Sequence, residues 1–194
     1  MSMFAHFDWA VAVLGLGSNV GDRMAHLQSA VDTLDKHHNV DVLGVSPVYE
    51  TEPVGGPEQD PYLNAVVHIA TLLDPRDLLT VAHELEDARG RERTEHWGPR
   101  TLDVDLLTFK SFYIDTSALT LPHPRAHERA FVLAPWYDLD PDAELPGKGP
   151  VRQLLQQVPR SGVQRRDDLH LLFVGVSDDA TDVSGGTDEG TTGS

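Results

Sequence analysis

Residues 90–109 read GRERTEHWGPRTLDVDLLTF. The second half alternates as a strand does, with Leu102, Val104 and Leu106 to one side and Thr101, Asp103 and Asp105 to the other. One face is apolar and suits a core; the other carries two carboxylates. Residues i and i+2 of a strand stand roughly 7 Å apart at the Cα, so both carboxylates can close on one or two hard cations. Arg91, Arg93 and Arg100 precede the strand, and Gly98 and Pro99 set a turn directly before it. Guanidinium forks beside a carboxylate pair describe a polyphosphate site, with magnesium neutralising one side and arginine the other. Trp97 adds a flat apolar surface beside the charges.

Upstream, Asp74 and Pro75 open a helix with proline in its first turn. Leu78, Leu79, Ala82 and Leu85 form its buried stripe, which leaves Glu86 and Arg89 for the surface or a site, and Gly90 ends it. Before it, residues 62–73 alternate as a strand: Leu63, Ala65, Val67 and Ile69 share one face, and Tyr62, Asn64, Val66 and His68 the other. Tyr62 and Asn64 therefore look out together at the end of residues 49–61, which hold three prolines and two glycines. A segment of that length and composition is expected to be a functional loop or lid. Residues 40–50 read as a strand, and residues 22–36 as an amphipathic helix with Leu27, Ala30, Val31 and Leu34 inward. The apolar run 9–17 is an interior strand. It ends in Gly15-Leu16-Gly17-Ser18-Asn19-Val20-Gly21, whose third glycine falls one residue late for a dinucleotide turn, and no P-loop lysine follows. A tight strand-to-helix turn with Ser18 or Asn19 near the cap fits better.

Downstream, residues 112–114 are expected to pair with the aspartate strand as a hairpin. Residues 121–133 read LPHPRAHERAFVL. His123 stands between two prolines, which fixes its direction, and Arg125 and Arg129, one helical turn apart, are expected to form a second cationic patch. Phe131 lies about 100° around a helix from Ala130, off the Ala130, Leu133, Ala134 stripe, and can offer its ring to a ligand. Residues 151–158 read as a last helix and 169–176 as a strand. Residues 177–194 hold five acidic residues and no basic one, without an apolar face, and are expected to be a disordered acidic tail.

The 194 residues suit one domain, 1–176, followed by that tail. A formal net charge of -16 and a pI near 4.8 argue against a nucleic-acid or anionic-membrane binder, so an anionic ligand must be met by local cations. The chain has no cysteine, which removes disulfides and thiolate zinc sites and is compatible with a cytoplasmic location. The N-terminal apolar run is short, has no basic lead-in, and reads as a buried strand instead of a signal or membrane span.

In order, Gly17-Ser18-Asn19, residues 46–52, Tyr62-Leu63-Asn64, Gly90-Arg91-x-Arg93, residues 97–105 (WGPRTLDVD), Pro122-His-Pro-Arg and Arg129-Ala-Phe131 resemble one family across residues 12–157: 6-hydroxymethyl-7,8-dihydropterin pyrophosphokinase of folate biosynthesis. The resemblance implies an α+β, ferredoxin-like fold, with a four-stranded antiparallel sheet and packed helices in three α/β/α layers. It implies transfer of pyrophosphate from ATP to the pterin hydroxymethyl group with release of AMP. Asp103 and Asp105 would hold two magnesium ions and, with Arg91 and Arg100, form the catalytic set. Arg91, Arg93, Arg100, His123 and Arg129 would grip the triphosphate, while Glu86, Leu106 and Thr120 line the nucleotide site. The pterin would stack between Tyr62 and Phe131, with Asn64 at its edge, Thr51, Pro53 and Val54 as its floor, and Trp97 closing over both substrates. His96 and Glu52 depart from the family pattern. The implied partners are the two small substrates, with no nucleic acid or membrane, for a monomeric cytoplasmic enzyme. The alternatives are another magnesium-dependent nucleotide transferase and a catalytically idle binding homologue.

Overall fold

Alternation along the first strand sorts the core into two layers. The computed structural model describes residues 9–53, 59–88 and 101–175. In chain order the elements are β1 (Ala10–Ser18), α1 (Arg23–Asp35), β2 (Val40–Val45), β3 (Tyr49–Thr51), β4 (Tyr62–Thr71), α2 (Pro75–Asp87), β5 (Asp103–Phe109), β6 (Ile114–Asp115), β7 (Thr120–Leu121), α3 (Ala130–Leu139), β8 (Glu144–Leu145), β9 (Gly149–Pro150), α4 (Val151–Gln157) and β10 (Val163–Arg165). Ala12, Leu14 and Leu16 of β1 meet Leu27, Val31 and Leu34 of α1 and Leu78, Ala82 and Leu85 of α2. The opposite face carries Val13, Val66 and Leu107 against Leu133 and Trp136 of α3 and Leu154 and Leu155 of α4. Leu27 and Leu34 are fully buried, each worth ~1.5–3 kcal/mol relative to exposure.

The sheet is antiparallel at every described pairing and runs β10-β3-β4-β1-β5, with β2 also on β4. The described sheet thus has six strand segments where four were expected. Two observations account for the difference. The run 40–50 divides because the Ser46 hydroxyl takes the Val66 N–H (2.9 Å) in place of a carbonyl, and Pro47 next to it has no N–H to give. β2 and β3 therefore lie end to end along one edge of β4, opposite Val67–Thr71 and Tyr62–Asn64 respectively. The second is β10, three residues too short to show a period, which adds to the outer edge of β3.

Several local expectations change. α1 is capped by Asp22, whose carboxylate accepts the Ala25 N–H at 3.0 Å, and not by Ser18 or Asn19. Asp74 caps α2 as the Asp-Pro pair suggested. Residues 112–114 do not pair with β5: Ile114 belongs to β6, which pairs with β7. Arg125 and Arg129 do not share a helix, since a 3-10 turn at Ala126–Glu128 ends before α3 begins. Arg125 turns out to Glu128, and Arg129 turns in. Residues 169–175 form no strand, because side chains of α1 satisfy their backbone: Gln28 bonds both the N–H and the C=O of Leu172, and Asp35 accepts the Val174 N–H. Expectations at Val54, Arg89, Gly90, Arg91, Arg93, His96, Trp97, Gly98, Pro99, Arg100, Val176 and the tail 177–194 fall outside the described residues.

Candidate active site

Register decides what stands beside the two aspartates. Asp103 lies opposite Gly17 and Asp105 opposite Gly15 on β1; on the far side of β1 the same glycines face Asn64 and Val66 of β4. Each aspartate is thus separated from β4 by a residue with no side chain. That vacancy opens a cavity of about 180 Å³, lined by Gly15, Gly17, Thr51, Glu52, Pro53, Gln59, Tyr62, Asn64, Asp103, Asp105, Arg129, Phe131 and Val132, among others. A Cβ on Gly17 would stand 3.2 Å from Asn64 Oδ1, so even alanine crowds the space. The cavity is below the ~300–1,000 Å³ of pockets for drug-sized ligands. Asn64 is buried and donates from Nδ2 to Thr51 Oγ1 (3.0 Å), which fixes the direction of its amide. Phe131 leaves the Ala130, Leu133, Ala134 stripe and joins the lining, as its helical angle suggested.

A β-bulge changes the alternation of β5 beyond the two aspartates. β1 and β5 slip register between Val13 and Leu14, so Leu107 is the extra residue and the alternation changes phase after it. Asp103, Asp105 and Leu107 share the face of the cavity, while Val104 and Leu106 pack with α1 and α2, and Phe109 joins them beyond the bulge. Ser18, fully buried, ties down the start of this strand by donating to the Thr101 carbonyl at 2.6 Å.

The same two aspartates line a second, more open cleft of about 340 Å³ with Leu79, His83, Glu86, Leu106, residues 116–120, His123 and Pro124. Glu86 is 3% exposed and accepts the Val104 N–H at 3.0 Å, fastening α2 to β5. His123 is held from both ends: its N–H donates to the Leu107 carbonyl (2.8 Å), and its Nδ1 accepts the Arg125 N–H (3.2 Å). Burial lowers its pKa below the usual histidine value against the opposing pull of Asp105. The neutral ring therefore keeps its proton on Nε2, which faces Asp105 Oδ2 at 3.8 Å, too long for a direct hydrogen bond. Arg129 lies over the Phe131 ring at 5.6 Å and reaches Asp105 Oδ2 at 3.2 Å. With Asp105 36% exposed, such a pair contributes only ~0.2–1 kcal/mol and can be exchanged for a bound ion or phosphate.

The arrangement suits two ligands meeting at one carboxylate pair. It places Thr51, Pro53, Tyr62, Asn64 and Phe131 on one cavity, Glu86, Leu106, Thr120 and His123 on the other, and Asp103 and Asp105 on both, with Arg129 on the first. No group of three or more acidic or histidine side chains fit for a metal occurs among the described residues. Magnesium needs only one or two carboxylates, completing its octahedron with water and phosphate oxygens, so this hard oxygen pair opening onto both cavities fits that ion.

The sequence matches the model of the 7,8-dihydro-6-hydroxymethylpterin-pyrophosphokinase (HPPK) family over residues 13–141. The chain belongs to this family. It is 48% identical over 125 residues to 2-amino-4-hydroxy-6-hydroxymethyldihydropteridine pyrophosphokinase of Bacillus subtilis, covering 64% of this chain and 75% of the relative. A protein of the same name from Mycobacterium bovis is 45% identical over 174 residues, covering 82% and 88%. Among solved structures, a Plasmodium falciparum HPPK-DHPS with pterin and p-hydroxybenzoate superposes with a TM-score of 0.64 at 15% identity, over 81% of this chain and 47% of that longer one. That likeness concerns the fold: a mixed α/β HPPK architecture with an antiparallel sheet and, among the described residues, four α-helices.

HPPK membership also gives sense to residues the sequence reading passed over. In the sequence Gly15 and Gly17 stand as parts of a strand-to-helix turn, Gly17 also in the family motif, whereas the register makes both of them walls of the first cavity. Their signal was two side-chain-free residues on one strand face, but their place opposite Asp103 and Asp105 depends on pairing that one strand cannot reveal. Gln59, Val132, His83 and residues 116–119 carried no local signal; they reach the site through loop and helix placement.

Proposed function

We propose that Asp103 and Asp105 form the joint between a pterin cavity and an ATP cleft, and that the protein works there as the HPPK of folate biosynthesis. Members of the family are ATP-dependent pyrophosphokinases, and this chain transfers a pyrophosphoryl group from ATP to hydroxymethyldihydropterin. The observation that carries the site assignment is that one carboxylate pair lines both cavities.

The pterin stacks on Tyr62 and Phe131, with the fixed amide of Asn64 reading its edge and Thr51 and Pro53 beneath it; Val54 joins them on the strength of the family resemblance alone. The adenine nucleotide occupies the cleft of Glu86, Leu106, Thr120 and His123, with Arg129 turned toward its phosphates. Arg91, Arg93, Arg100 and Trp97 join from residues 90–100, on the strength of the family motif. The pterin hydroxyl oxygen forms a bond to the β-phosphorus as the bond from that phosphorus to the α-phosphate bridging oxygen breaks, AMP carries that oxygen away, and the hydroxyl proton leaves through Asp103 or solvent. Magnesium, two ions by family resemblance, supplies charge neutralisation for the phosphate oxygens when held by Asp103 and Asp105. The chain itself contributes orientation and positive charge, so most of its effect is positioning and electrostatic. Asp105, paired with Arg129 at 3.2 Å, would give up that pair on holding an ion, and the guanidinium would then be available to phosphate.

The ferredoxin-like description is supported if β2 and β3 count as one edge strand beside β4, β1 and β5. We assign the catalytic work to residues 1–176 and none to the acidic residues 177–194, in a cytoplasmic monomer. No helix among the described residues is long and apolar enough to cross a membrane. The test is AMP formation from ATP and magnesium with and without 6-hydroxymethyl-7,8-dihydropterin. Pterin-dependent AMP is expected; folded protein that makes none, or that releases pyrophosphate instead, contradicts the assignment.

A further inference from the structure

Residues 159–168 lie beyond the 13–141 span of the family match, yet they grip the strand that walls the ring cavity. β10 pairs with β3 in the register Val163 to Thr51, Gln164 to Glu50 and Arg165 to Tyr49. Just past β3, the Glu52 N–H donates to the Gly162 carbonyl at 3.0 Å. Gly162 has φ +73, and a Cβ there would stand 3.0 Å from Glu52 Cγ, so only glycine lets this contact close.

Arg166 then makes the longest link. Its N–H donates to the Val48 carbonyl (2.8 Å), its Nε and Nη2 grip Asp168 (2.8 and 2.7 Å), and its Nη1 donates to Glu50 Oε2 at 2.9 Å. The same Glu50 oxygen forms an ion pair with Arg23, Nη1 standing 3.1 Å away. Arg23 Nη1 also donates to the Pro61 carbonyl at 2.6 Å, one residue before Tyr62, and Asn19 Nδ2 holds Gln59 Oε1 (3.0 Å) and the Asp60 carbonyl (3.3 Å) alongside. The chain of contacts runs Asp168, Arg166, Glu50, Arg23, Pro61 and ends one residue before Tyr62, which lines the cavity. Arg166, Glu50 and Arg23 are each partly exposed. Pairs of that kind add little to global stability, and their effect is on where Glu50 and Arg23 point.

We propose that Arg166 is a positioning residue for the pterin, acting through Glu50 and Arg23 on Pro61 and Tyr62. The proposal rests on the assignment of this cavity to the pterin. A residue that only stabilises the fold would weaken both substrates together; one that positions this wall weakens the pterin alone.

The experiment compares full-length wild type with Arg166→Gln, Arg166→Lys and Gly162→Val, measuring equilibrium binding of 6-hydroxymethylpterin and of magnesium ATP, KM for each substrate, kcat and melting temperature. For Arg166→Gln the pterin Kd and KM rise about five- to tenfold while ATP Kd and kcat stay within about twofold. Gly162→Val moves the same constants in the same direction, and Arg166→Lys, which keeps charge but loses the fork, lies between wild type and Arg166→Gln. In a Glu50→Gln background the Arg166→Gln change adds less than about twofold, because the link is already broken. An unchanged pterin Kd in an active, folded variant, or equal weakening of both substrates with a fall in melting temperature, overturns the proposal. Absence of pterin-dependent AMP in wild type counts against the activity itself and is read separately from these ratios.

Discussion

The ring cavity and the nucleotide cleft share Asp103 and Asp105 but are built from different materials. Strand positions in fixed register make most of the first: Gly15 and Gly17 on β1, Tyr62 and Asn64 on β4, Thr51 on β3. The second takes one wall from α2 and β5 and the other from residues 116–124, where only β7, two residues long, is regular. On the proposed assignment, a cavity set by register is formed before the pterin arrives, so specificity for a flat ring would be stored in the sheet. A cleft with an irregular wall would instead adapt to a flexible polyphosphate and select by charge.

That contrast can be broken at the shared carboxylates, where the largest effect lies. Asp103→Asn and Asp105→Asn are each expected to lower the rate of AMP formation by roughly 10²–10³ or more, the range seen when an electrostatic stabiliser is removed, with pterin Kd changed little. Steady-state kinetics with a separate pterin-binding titration checks this; pterin binding lost in step with rate would mean the pair only shapes the ring cavity. Gly17→Val is next. Its side chain enters the space before Asn64 Oδ1 and is expected to raise pterin KM by about tenfold or more while ATP KM holds. A parallel rise in ATP KM would show that the two cavities are not separate.

Much of this layout was legible because it rests on long periodic runs. α1, β4 and α2 each show enough turns or alternations to fix their buried face, the apolar run of β1 marks an interior strand, and the two aspartates could be set on one polar face from spacing alone. Elements that depend on a single side chain were not legible. Ser46 breaks a strand by replacing one carbonyl, and Gln28 holds residues 169–175, expected as a strand, as a strap on α1. At the site, Tyr62, Asn64 and Phe131 were visible from their angles, but the inward turn of Arg129 away from Arg125 required the 3-10 turn between them. The role of Gly15 and Gly17 required the register of β5.

A smaller effect is expected at Phe131. Phe131→Ala removes one stacking face and the surface on which Arg129 lies, worth ~1–3 kcal/mol by analogy with aromatic stacking on bases, and should weaken pterin before ATP in a binding titration. Equal loss for both ligands would place the ring on the shared joint instead of in the cavity.

The smallest effect concerns pH and the core under the cavity. His68 is largely buried against the edge of Trp136, and its Nε2 finds no hydrogen-bond partner among the described residues. Burial lowers its pKa below 6.5, opposed by Asp140. The unfolded chain therefore takes up this proton first, so the contribution to stability is complete above about pH 6.5 and is lost as pH falls below it toward the folded-state value. His68→Leu should flatten the decline in melting temperature between about pH 7 and 5; an unchanged slope would assign that decline to other groups.

The central claim is that two substrates meet at Asp103 and Asp105 from separate cavities. A crystal structure with magnesium, 6-hydroxymethylpterin and an ATP analogue carrying a methylene bridge between the α- and β-phosphates tests it most directly. The account predicts the pterin between Tyr62 and Phe131 with Asn64 at its edge, the nucleotide along Glu86, Thr120 and His123, and the metal on both aspartates with the pterin hydroxyl facing the β-phosphate. A pterin in the cleft beside α2, or a metal bound away from Asp103 and Asp105, would contradict it.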